Sequence, residues 1–189
     1  MSIGTRLELL LDDYLIESRE NVDFDVHQPR PAEKVMTFEA PWEGPFCDYF
    51  TVFEDKGVFR MYYATHPQAG FSSDTDQFTC YAESTNGIDW RKPSLGIVQF
   101  QGSGNNNIIN RGWTAHNFSP FIDTKPGTPA DQRYKAVGGH ARIGGLKVFA
   151  SGDGLRWRLL AQEARITKGG YPEPVGFDSQ NIAFWDPRR

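Results

Sequence analysis

The chain has 189 residues, 39% hydrophobic and 14% aromatic, which is enough apolar material for a packed core and too much for a disordered segment. Its net charge is −4, and its Lys and Arg side chains are scattered rather than clustered, so nucleic acid is not an expected partner. The apolar run Leu9 to Leu11 is broken at once by Asp12 and Asp13, which excludes a membrane span or signal-peptide core there; the chain as written reads as cytoplasmic, or as secreted or periplasmic if an export signal lies upstream.

Helical periodicity is nearly absent, and short β-branched and aromatic runs bounded by Gly, Pro, Asn and Asp recur throughout, so the expected class is all-β. Residues 1–40 read as extended strands. Leu7 to Leu11 and Tyr14 to Ile16 suggest two short strands about an Asp12-Asp13 turn, and Val22, Phe24 and Val26 alternate with polar residues as a half-buried strand does. Cys47 and Cys80, the two cysteines, have neither a disulfide framework nor metal-ligand spacing and read as free thiols.

From residue 48 the spacing becomes regular. Apolar strands ending in an acidic turn occur at Tyr49 to Phe53, Phe118 to Ile122 and Ile182 to Trp185, and the first two are followed by second strands at Val58 to Ala64 and Arg133 to Val137. Ser84-Thr85-Asn86-Gly87-Ile88-Asp89-Trp90 is echoed by Ser151-Gly152-Asp153-Gly154-Leu155-Arg156-Trp157, with the second glycine 67 residues after the first. Each copy reads as a strand-turn-strand corner in which Asn-Gly or Asp-Gly supplies positive φ and the Trp caps the layer beneath. A step of that length accommodates four short strands, so the repeat predicts a β-propeller of four-stranded antiparallel blades. Blade 1 is expected over 41–107, blade 2 over 108–175 and the inner strand of an incomplete blade 3 over 176–189, about two and a half blades in all. The chain would then be a truncated, inactive piece of a closed ring, because a site built by every blade cannot be organised by fewer than three.

Several strings carry a family resemblance: Leu11-Asp12-Asp13-Tyr14-Leu15-Ile16-Glu17, His27-Gln28-Pro29, Pro41-Trp42-Glu43-Gly44, Thr79-Cys80-Tyr81-Ala82-Glu83-Ser84, His116-Asn117-Phe118-Ser119-Pro120-Phe121 and Phe177-Asp178-Ser179-Gln180-Asn181. Together they resemble the bacterial proteins labelled glycosyl hydrolase family 32 N-terminal-like, over essentially the whole chain. The resemblance implies a five-bladed propeller and a glycosidase-like activity. It does not carry over a catalytic set, since the Asn-Asp-Pro-Asn, Arg-Asp-Pro and Glu-Cys signatures of family 32 enzymes are missing from this sequence.

The first strands of propeller blades line the central channel, and their starts meet at one end. The repeat places Asp48, His116 with Asn117, and Asp178 with Gln180 at those starts. Glycoside hydrolysis needs two carboxyl groups, roughly 5 Å apart for retention and about 6.5 to 9.5 Å for inversion, and Asp48 and Asp178 are the expected catalytic pair. Asp48 would be the base or nucleophile and Asp178 the acid or a partner acid. Asn117, Gln180 and His116 are expected to bind substrate, and Trp42 and Trp113 to stack on a sugar face. Each has a structural alternative: an Asx-turn at Asp48 or Asp178, a buried structural role for His116, core filling for the two Trp. Glu83 is a reserve acid. The expected partner is a carbohydrate, with no metal and no cofactor; a glycoside hydrolase is the leading function and a non-catalytic carbohydrate-binding propeller the alternative, while a glycoside phosphorylase ranks last because His116 is the one basic residue near the acids. Gly102 to Asn107 lacks the Lys-Ser/Thr and helix of a phosphate loop.

Overall fold

A computed structural model describes residues 4–5, 9, 11–68, 77–167 and 176–188. It divides into two units, Met1–Glu33 and Lys34–Arg189.

In the first unit, the expected strand at Tyr14 to Ile16 is instead a 3-10 turn, Asp13–Leu15. Its cause is local. Asp12 Oδ1 accepts from the Tyr14 amide at 3.0 Å, and such a side-chain bond gives the backbone an alternative to a ladder. The expected strand at Val22, Phe24 and Val26 is also not formed. Val22 and Val26 are 63% and 78% exposed, and alternation becomes a strand only where a neighbour pairs with it and one face is covered. The expected Leu7 to Leu11 strand lies mostly outside the described residues.

The second unit is all-β: two four-stranded antiparallel sheets, with 3-10 turns as the only helical segments among the described residues. The first sheet runs in the order β1 (Phe46–Asp55), β2 (Val58–His66), β3 (Phe78–Ser84), β4 (Ile108–Arg111). The second repeats it with β5 (Ser119–Ile122), β6 (Tyr134–His140), β7 (Gly145–Ser151) and β8 (Arg158–Leu159). Both are simple meanders, each strand pairing antiparallel with the next in the chain.

Two apolar clusters hold the sheets. One side of the first sheet buries Met61, Tyr63, Phe78, Cys80, Ala82 and Ile108 under Phe38, Trp42, Trp90 and Phe100. The other presents Tyr62, Tyr81 and Ile109 to Phe118, Ala136, Phe149 and Trp157 of the second sheet. Strand β2 is therefore covered on both faces, and its central residues Met61 to Thr65 are all buried. Polar bonds cross the same interface. Arg133 donates to both carboxylate oxygens of Asp55, at 2.7 and 2.5 Å, the Tyr134 hydroxyl donates to Asp55 as well, and the Tyr62 hydroxyl donates to the Gly154 carbonyl at 3.0 Å.

The repeated turn forms twice with the same bonds. Ser84 Oγ accepts from the amides of Asn86 and Gly87, and Asn86 Oδ1 from those of Ile88 and Asp89. Ser151 Oγ and Asp153 Oδ1 do the same for Asp153, Gly154, Leu155 and Arg156. Only the glycines take positive φ, +77° at Gly87 and +76° at Gly154; Asn86 and Asp153 serve as side-chain acceptors, contrary to the expectation that both turn residues would be left-handed. Trp90 and Trp157 then pack on the two clusters.

The expected third inner strand, Ile182 to Trp185, is not a strand. Its residues make no ladder, and Ile182 and Phe184 are 73% and 75% exposed. No second strand lies beside it among the described residues, and a single extended segment has nothing to satisfy its backbone.

Candidate functional site

An antiparallel meander brings the starts of its odd strands and the ends of its even strands to one edge. In the second unit that edge collects Asp48 near the start of β1, His66 at the end of β2, Gln77 just before β3, His116 just before β5 and His140 at the end of β6. With Tyr49, Arg142 and Asp178 they line a pocket of about 390 Å³.

A bulge sets the first corner. Asp48 pairs with Ala64 and Thr51 with Tyr62, so β1 has one residue too many, and Tyr49 takes φ +50°. Bulges re-aim side chains at sheet ends. Asp48 Oδ1 ends 3.6 Å from His66 Nε2 and makes no hydrogen bond, so the Asx-turn alternative is not realised through that oxygen. The Tyr49 hydroxyl proton is held more tightly than usual, by burial first and then by the charges of Asp48 and Asp178.

Between the two sheets, Gln77 Oε1 lies 2.8 Å from His116 Nδ1, so Nδ1 carries the proton and Nε2 the lone pair. His140 is the reverse. Its Nδ1 accepts from the Arg142 amide at 3.1 Å, which places the proton on Nε2, and Nε2 faces Asp178 Oδ1 at 4.0 Å. The two imidazoles meet edge to face with centroids 5.0 Å apart.

Asp178 reaches the pocket because its backbone is tethered. Asn117 Nδ2 donates towards the carbonyls of Phe177, Asp178 and Ser179, at 3.1, 2.7 and 2.9 Å, and the Tyr49 hydroxyl to that of Asp178 at 3.3 Å. Gln180 Nε2 donates to Thr51 Oγ1 at 2.9 Å and to the Tyr49 carbonyl at 3.3 Å. The amides of Asn117 and Gln180 are thus spent on fastening this segment to β1 and β5; the buried Asn117 Oδ1 has no donor among the described residues.

Of the residues expected from sequence, the structure brings Asp48, Asp178 and His116 into one pocket, with Asn117 and Gln180 behind it. Trp113 stands behind the wall, its ring 5.7 Å from that of His140 and beneath the Arg142 guanidinium. Trp42 is not at the pocket. Its indole donates to Asn107 Oδ1 at 2.7 Å and its ring joins the outer cluster, which is the core-filling alternative. Glu83 is at the far end of β3, bound by Tyr81 and Arg91. The thiol of Cys47 is pushed up to about 12 chiefly by burial, and burial raises that of Cys80 too, which disfavours the thiolate at both.

No family model, curated protein or solved structure matches this chain. Chemical reading of the site therefore stands on its geometry. Two carboxylates, each beside an imidazole, line one pocket together with a phenol, and such a set can bind hydroxyls and move protons. The sequence reading overlooked His66, Gln77, His140 and Arg142. The meander itself would have found them, since even strands end where odd strands begin. Among the described residues no helix is long and apolar enough to cross a membrane.

Proposed function

We propose that the chain forms two blades of a β-propeller glycosidase, and that the pocket at the shared sheet edge cleaves or binds an oligosaccharide. The observation that carries this reading is the convergence of Asp48 and Asp178, far apart in sequence, on one cavity lined by three histidines. Supporting it, the two meanders have the same strand order and the same turn, and their first strands lie side by side, Thr51 Oγ1 being 3.5 Å from Ser119 Oγ. That is how successive blades bring their inner strands together around a channel. Asp48, flanked by His66, is the base or nucleophile; Asp178 is the acid. The resemblance to the family 32 N-terminal-like proteins points the same way, and the five-bladed ring is part of this proposal.

Turnover of a glycan panel tests it. Asp48→Asn and Asp178→Asn should each lower kcat by about 100-fold or more, the usual contribution of a positioned acid or base. Full activity in both variants would overturn the assignment. A non-catalytic sugar-binding propeller is the second reading, favoured by one observation: the Asp178 side chain is 84% exposed, whereas a proton donor is generally enclosed. Saturable glycan binding without turnover, weakened by the same substitutions, would select it.

A further inference from the structure

We infer that His116, His140 and Asp178 form a site for one divalent transition-metal ion, of the zinc or ferrous kind. One ligand atom from each of the three lies within 4.8 Å of the others, and His140 Nε2 is already 4.0 Å from Asp178 Oδ1. Bonds of about 2.0 to 2.2 Å around a tetrahedral ion put neighbouring donors roughly 3.3 to 3.6 Å apart, so the cluster has to contract by up to about 1.5 Å. Asp178 is the residue able to supply that movement, because its side chain is open to solvent while its backbone is pinned by Asn117.

The surroundings of His116 suit a ligand. Its Nδ1 donates to Gln77 Oε1, the usual outer-shell arrangement that orients an imidazole to ligate through Nε2. His140 must change. In the empty site its proton is on Nε2; on binding, the ion takes that position, the proton is relocated to Nδ1, and the bond from the Arg142 amide is given up. The turn Ala141–Ile143, for which His140 is the capping side chain, therefore shifts with occupancy, and Trp113 next to His140 and Arg142 reports it. Arg142 itself also lines the pocket and its charge opposes the ion, whereas Asp48 favours it.

Two imidazoles and one carboxylate are the ligands of Zn²⁺ or Fe²⁺ sites that keep positions open; Ca²⁺ and Mg²⁺ prefer oxygen alone. The open positions would face the pocket, where water or a substrate hydroxyl can bind. The inference rests on the cluster and not on the glycosidase reading, and the two part at Asp178, which as a ligand cannot also be the proton donor.

The test is metal binding by the chain after chelator treatment, with Zn²⁺ measured by calorimetry and Co²⁺ by its visible absorption, alongside tryptophan fluorescence. One equivalent per chain is expected, with a change in fluorescence. Asp178→Asn and His140→Gln, verified by unchanged melting curves, should weaken it at least about tenfold, the scale on which even outer-shell partners of a metal act. His66→Gln, on the opposite wall, should leave it intact. No binding, equal binding in the ligand variants, or an equal loss in His66→Gln would overturn the proposal. Asp48→Asn separates the two ideas, because it should remove turnover while weakening the metal far less than the two ligand variants do.

Discussion

The two sheets carry the same turn in different settings. At Gly87 a Cβ would meet nothing within 4 Å, whereas at Gly154 it would lie 2.8 Å from the Tyr62 hydroxyl and 2.9 Å from Arg60 Nη1. The first turn is a surface corner. The second is a docking point, where Tyr62 and Arg60 of the first sheet hydrogen-bond to the carbonyls of Gly154 and Asp153. A local hydrogen-bond pattern is thus set by a few residues, while its contribution to stability depends on which neighbour leans on it.

The sharpest way to break the comparison is to remove the charge that ties the sheets near this point. Asp55→Ala should destabilise the chain by about 3 kcal/mol in chemical denaturation, because a buried carboxylate is lost and Arg133, itself partly open to solvent, is left without its bidentate partner. Its hydrogen bonds from Arg133, helped by Tyr134 and opposed by burial, hold the Asp55 carboxyl down to about 2. A depressed carboxyl stabilises the fold fully above its unfolded value of about 3.9, and that stability disappears as pH falls through about 2. The acid-labile part should amount to about 2 to 3 kcal/mol and be missing from an Asp55→Asn variant titrated in parallel.

The glycines give the next largest effect. Gly154→Ala should cost about 2 to 3 kcal/mol, since it adds displacement of Tyr62 and Arg60 to the left-handed strain, and Gly87→Ala about 1 kcal/mol from strain alone. Equal losses in thermal melts would show that the second turn bears no inter-sheet contact. The smallest effect should be the most symmetrical. Ser84→Ala and Ser151→Ala each remove an acceptor serving two amides and should each cost about 1 kcal/mol, with similar shifts in melting temperature.

Much of the fold was legible because its signals are short-range. Ser84 to Trp90 and Ser151 to Trp157 bond within three residues of themselves, so their sequence contains all the partners required. The same locality misled at Val22 to Val26 and Ile182 to Trp185, where alternation was present but no second strand lay alongside. Asp48 and Asp178 were legible as polar residues at strand starts, but their neighbours were not. Asn117 and Gln180 looked like substrate-facing amides and proved to be fasteners for the backbone around Asp178.

What the sequence determined by itself was the all-β class, the paired turns and the hairpins between them, since glycine stereochemistry, side-chain acceptors and strand alternation act over a few residues. Only the tertiary structure decided which side chains share the pocket. The bulge at Tyr49 aims Asp48 at His66, and residues from six separate segments of chain meet there through contacts that no local pattern encodes.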